Sequence, residues 1–142
     1  MKKALSFAIC FFISMVIYSC QNEGDIEFGR YYTDGAIVYQ SHCQNCHGDK
    51  GEGLGDLIPP LTDSAYLRSK KNALACGVKN GISGKITISG KLYDDQMPAN
   101  NISPIEIAQA LTYIGNSFGN KLGLINGDEV NSELEHCGSE SH

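Results

Sequence analysis

The sequence predicts an all-α fold of three to four helices interrupted by one extended segment, on three observations. Ser103-Pro104-Ile105-Glu106 forms a capping box with proline at the first helical position. Ile107, Ala110, Leu111 and Ile114 then repeat at helical spacing until Gly115 or Gly119. Thr33 or Asp34 is placed to cap an earlier helix, whose apolar positions Ile37, Val38 and Tyr39 run into Cys43-Gln44-Asn45-Cys46-His47. Between them, Ile82 to Leu92 is rich in glycine and β-branched residues, and Ile86-Thr87-Ile88 alternates, so it reads as extended chain with turns.

In chain order, residues 1–19 read as a secretory signal. Lys2 and Lys3 precede an apolar run from Ala4 to Ile17, shorter than the roughly 20 residues of a membrane span. The run ends Ile17-Tyr18-Ser19-Cys20, which resembles the lipobox of bacterial lipoproteins, with Cys20 as the acylated N-terminus after cleavage. Residues 20–30 are polar, with three acids between Gln21 and Gly29, and read as a flexible tether. The domain proper is expected over 31–119. Within it a glycine-rich loop, Gly48 to Gly55, leads to Pro59-Pro60, which favours extended backbone. Thr62 or Asp63 is placed to cap a helix from about Ser64 to Gly77. Residues 120–142 are polar and read as a tail held by Cys137.

Removing residues 1–19 takes two lysines and no acid, so the net charge moves from −5 to −7, nine basic against 16 acidic residues. That balance excludes a nucleic-acid footprint. It favours protein partners with basic docking surfaces, through attraction that weakens with salt.

C-x-x-C-H at residues 43–47 is the attachment pattern of a c-type haem. Cys43 and Cys46 can each add to one vinyl group, and His47 then lies under the iron. The pattern occurs once, so one haem is expected. Met97, in Asp95-Gln96-Met97-Pro98, is the one methionine beyond the signal, and it lies 50 residues after His47. A thioether there would be the sixth ligand and would raise the reduction potential; otherwise Met97 is apolar filler. His42 reads as a surface residue, while His136 and His142 reach the iron only if the tail docks there. A haem-ligating histidine usually donates its other ring N–H to a carbonyl, and Pro59 is placed to accept it. Leu57 and Leu61 would wall the haem edge.

Cys10 leaves with the signal, Cys20 takes lipid, and Cys43 and Cys46 take haem. Cys76 and Cys137 remain, an even remainder in a compartment that oxidises thiols. They are expected to pair, contributing about 4 kcal/mol in the chain-entropy model; the alternative is one buried thiol and one in a frayed tail.

These residues resemble class I cytochromes c. The likeness is carried by Gly35 and Tyr39, the stretch Cys43 to Gly48, Pro59-Pro60-Leu61, Gln96-Met97-Pro98 and Leu111-Thr112-Tyr113-Ile114. It implies a cytochrome c fold wrapped around one covalent haem, with the first and last helices crossing at Gly35 beside Tyr39 and Tyr113. The run from Gly81-Ile82-Ser83-Gly84 to Gly90-Lys91-Leu92-Tyr93 looks like membrane-associated bacterial members linked to oxidases, nitrite reductases or dehydrogenases.

The reading that follows is a periplasm-facing, lipid-anchored electron carrier in the bacterial envelope, not an enzyme and without a small-molecule substrate. Other classes predict different behaviour. A five-coordinate haem enzyme or gas sensor would bind carbon monoxide readily, and an electron-entry subunit would sit in a larger oxidoreductase complex. A zinc site at Cys43, Cys46 and a histidine would be colourless, and a thioredoxin-like centre lacks its βαβ setting.

Overall fold

The computed structural model describes residues 23–138 together with Phe11, Phe12 and Ser14. The expectation for Cys20 and nearly all of the signal segment lies outside the described residues. Helix α1 spans Glu23–His42 and α2 is a single turn, Gln44–His47. After a loop come α3, Ser64–Ser69, a 3-10 turn at Lys71–Ala73, and α4, Leu74–Asn80. Strands β1, Ile86–Ile88, and β2, Lys91–Tyr93, precede α5, Pro104–Asn116, and α6, Gly127–Glu135. This mostly helical architecture matches the fold class read from the sequence.

The centre of the fold is the crossing of α1 and α5. The α5 N-terminus is held by its capping box: the Ser103 hydroxyl accepts from the Glu106 N–H, and the Glu106 carboxylate accepts from the Ser103 N–H. Its inner face buries Ile107, Ala108, Ala110, Leu111, Thr112, Ile114 and Gly115. On α1 the facing stripe is Gly35, Val38 and Tyr39, at helical spacing. A Cβ on Gly35 would lie 2.0 Å from the Gln109 carbonyl oxygen, so the backbones meet where no side chain fits. Beside the crossing, Tyr113 packs against Tyr32 at 5.2 Å and Tyr39 at 5.3 Å between ring centroids, with Phe118 closing the cluster.

Helix α1 begins ten residues before the expected cap at Thr33, so Glu23 to Arg30 of the segment read as a tether are helical. Glu23 and Asp25 suit the positive end of the helix dipole. Phe28 stacks one turn from Tyr32 at 5.9 Å, and the Tyr31 hydroxyl accepts from the Gly127 N–H at 3.2 Å. Tertiary contacts thus carry a stretch that shows no apolar repeat.

The helix expected from Ser64 to Gly77 is broken. Asp63 caps α3 by accepting from the Ala65 and Tyr66 N–H groups. The chain then turns at Lys70, and α4 starts afresh where Glu133 Oε1 accepts from the N–H groups of Ala75 at 2.7 Å and Cys76 at 3.1 Å. The extended segment is a two-stranded hairpin with Ile86 opposite Tyr93, Thr87 opposite Leu92 and Ile88 opposite Lys91. Its turn, Ser89-Gly90, has positive φ at both residues, the geometry that suits the twist of a tight hairpin.

Residues 120–138 are not a loose tail. The side chain of Asn126 caps α6, and Ile125 and Val130 enter the same core as Val38, Ile107 and Leu111. The buried Thr112 hydroxyl donates to the Ile125 carbonyl at 2.9 Å and accepts from its N–H at 3.0 Å. Cys76 and Cys137 form a disulfide between α4 and the end of α6.

Candidate haem site

Helix α1 ends with the Cys43 N–H donating to the Tyr39 carbonyl at 2.9 Å, and one further turn follows. The Cys46 and His47 N–H groups both reach the Cys43 carbonyl, at 3.1 and 3.0 Å. Thiols three residues apart on such a turn share one face, with the imidazole next to them. Cys43 is half-buried and Cys46 exposed, and both are free thiols. Burial, with a smaller push from Cys46, raises the Cys43 thiol to about 11 and keeps it neutral.

His47 is fixed by the loop that follows it. Its Nδ1 donates to the Pro59 carbonyl at 3.1 Å, which leaves Nε2 as the nitrogen with a free lone pair in the neutral ring. Burial lowers the imidazole pKa from its ordinary value, against a smaller opposing effect of the Pro59 bond. The loop holds its shape through backbone pairing of Leu54 with Ile58, and through the Gly53 N–H donating to the His47 carbonyl at 2.8 Å. Gly53 has φ +70, and a Cβ there would lie 2.3 Å from the Ile58 carbonyl oxygen and 2.8 Å from that of Pro59. Tyr39, almost fully buried, donates its phenol proton to the Gly48 carbonyl.

Leu61 packs in one cluster with Cys43, Tyr39, Leu67 and Ile114. Leu54 and Leu57, on the loop that carries Pro59, remain 57% and 55% exposed. Two free thiols on one turn, a ring nitrogen with its lone pair left to donate, and exposed apolar side chains on the loop that follows fit a flat, largely apolar macrocycle with a metal at its centre. Met97 is half-buried and pairs with Ile82: each N–H donates to the other's carbonyl at 3.0 Å.

His42 is exposed, and His136 Nδ1 donates to the Ser132 carbonyl on α6; His142 lies outside the described residues. Among the described residues no group of three or more His, Cys, Asp or Glu is placed to hold a metal ion.

Asn120 escaped the sequence reading. It is buried, and its amide donates to the carbonyls of Leu61 at 2.8 Å and Ile114 at 2.9 Å while accepting from the Ser64 hydroxyl at 2.7 Å. It thus ties the loop after the attachment turn to α5. Next to Gly119 it looks like an ordinary turn residue, and nothing local marks it.

Fold and site together define a c-type cytochrome. Residues 31–114 match the family described as cytochrome c oxidase, cbb3-type, subunit III. Two sequences named cytochrome c-552, both from Thermus thermophilus, are each 30% identical over 91 residues. The match covers 61% of this chain and, respectively, 69% and 61% of the relatives. The chain belongs to this cytochrome c family, which makes it a haem-based electron carrier with covalently bound haem c.

Proposed function

We propose that the chain is a mono-haem cytochrome c, anchored by lipid at Cys20 on the periplasmic side of a bacterial envelope, that carries single electrons between respiratory partners. Cys43 and Cys46 hold the haem, and His47 and Met97 are its axial ligands. The observation that carries this reading is the bond from His47 Nδ1 to Pro59 within the C-x-x-C-H turn, because it turns the ring's remaining lone pair into a ligand atom. When bound, the haem supplies a one-electron ferric–ferrous couple.

The protein's own part is to hold that couple steady. Pro59 keeps the imidazole oriented and basic, Leu61 and its neighbours exclude water from the Cys43 side, and the soft Met97 sulfur favours the reduced metal. The acidic balance of the chain favours basic partners. The family description favours one setting in particular, that of an electron-entry subunit attached to an oxidase.

Expression in a bacterium with haem-attachment machinery tests the reading. The intact mass should show one covalent haem, lost in the Cys43→Ser, Cys46→Ser double variant. Two haems, or haem retained by the double variant, would end it. Among the described residues no helix is long and apolar enough to cross a membrane. Cys20→Ser should release the protein from the membrane once residues 1–19 are removed, and continued attachment of that mature form would refute the lipid anchor.

A further inference from the structure

We propose that Cys76, Cys137 and Glu133 form a clamp on the Met97 loop, and that a dithiol reductant opens it by cleaving the disulfide. The proposal rests on Met97 as an iron ligand.

Helix α4 is seven residues long, too short to persist without tertiary support. Its N-cap, Ala73, offers no side-chain acceptor. Beside the core contacts of Leu74, Ala75 and Val78, support at its N-terminal end comes from α6, where Glu133 accepts the Ala75 and Cys76 N–H groups and the disulfide joins Cys76 to Cys137. From its other end α4 carries the distal loop. Asn100 N–H donates to the Val78 carbonyl at 3.1 Å and Lys79 Nζ to the Ile102 carbonyl at 3.1 Å. Ile82 then pairs with Met97 in both directions. The Met97 backbone is therefore tied to α4, and α4 is held both by the end of α6 and by its own core contacts through Leu74, Ala75 and Val78.

The disulfide is within reach of a reagent. Both its cysteines line a cleft of about 560 Å³, together with Lys71, Glu129, Glu133 and His136. A thiolate of the reductant attacks one sulfur, giving a mixed disulfide and one cysteine thiolate. Its second thiol displaces the other sulfur. The reductant leaves as a disulfide, and its two protons and two electrons end on Cys76 and Cys137. The middle of α6 stays docked, since Val130 is fully buried and Leu134 packs on the core. Only the segment beyond Leu134, with Cys137, gains freedom. Helix α4 then keeps its bonds to Glu133 but loses its covalent tie to the end of α6, and the Met97 loop loosens while the domain stays folded.

The test uses the haem-loaded protein, reduced with dithiothreitol, alkylated with iodoacetamide and then adjusted to the ferric or ferrous state. Carbon monoxide should bind the ferrous form roughly tenfold faster, because the open population rises. The ferric methionine–iron charge-transfer band should weaken while helical circular dichroism is kept. Glu133→Ala, with the disulfide intact, should move both readouts the same way. If alkylation costs the helical signal, Glu133→Ala carries the test, and unchanged carbon monoxide binding in that variant overturns the clamp. Two alkylated cysteines with an unaltered band overturn it as well. A charge-transfer band that survives Met97→Ala would instead remove the ligand assignment on which the clamp depends.

Discussion

His47 donates from Nδ1 to the carbonyl oxygen of Pro59 across 3.1 Å, twelve residues further along the chain. The loop between them closes tightly enough to permit that bond because Gly53 lies against the Ile58 and Pro59 carbonyls with positive φ.

Gly53→Ala should therefore act on the haem through a residue that does not touch it. A Cβ there is strained by its backbone conformation and displaces the Pro59 carbonyl, for a cost of about 2–3 kcal/mol. A His47 ring with a weakened hydrogen bond is a poorer donor to ferric iron, so the reduction potential should rise. Urea unfolding and a redox titration of the holoprotein check both, and an unchanged potential in a destabilised variant would separate the loop from the ligand.

Gly35→Ala places a methyl group 2.0 Å from the Gln109 carbonyl oxygen and 2.9 Å from the Tyr113 Cβ. Neither helix backbone can yield without parting the Tyr39–Tyr113 contact. The expected loss is about 3 kcal/mol or more, read from the urea midpoint. A variant as stable as the wild type would contradict the crossing.

Asp63 links the α3 cap to the hairpin turn. One carboxylate oxygen accepts from the Ala65 and Tyr66 N–H groups, and the other from the Ser89 N–H at 3.0 Å and hydroxyl at 2.8 Å. These bonds, that from Tyr66 foremost, hold the carboxyl below its ordinary value of 3.8. The unfolded chain then binds the proton more readily than the folded one. Stability from this group is present above the unfolded value and lost as pH falls through the folded one. Asp63→Asn should flatten the stability change between neutral pH and about pH 3, and Asp63→Ala should cost about 1 kcal/mol at neutral pH through the lost cap. An acid limb as steep in Asp63→Asn as in the wild type would assign it to other carboxylates.

What could be read from the sequence was what local chemistry decides. Ser103, Pro104 and Glu106 set the start of α5 within four residues, and the alternation of Ile86, Thr87 and Ile88 marks extended chain without any partner. What could not be read depends on distant partners. The start of α1 relies on Tyr31 meeting Gly127, 96 residues away. The break before α4 relies on Glu133, 58 residues from Ala75. The buried amide of Asn120 has the same origin. Helix α6 is a different case, since Asn126 as cap with Val130 and Leu134 four residues apart was a usable signal. The many polar residues around it hid the stripe.

The central claim is that His47 and Met97 close both axial positions of a haem held at Cys43 and Cys46. Visible and near-infrared spectra of the holoprotein, before and after carbon monoxide, test it most directly. The expected result is a reduced c-type spectrum indifferent to carbon monoxide, and a ferric methionine–iron band that Met97→Ala abolishes. Ready carbon monoxide binding by the native ferrous protein, or a band that persists in Met97→Ala, would contradict it.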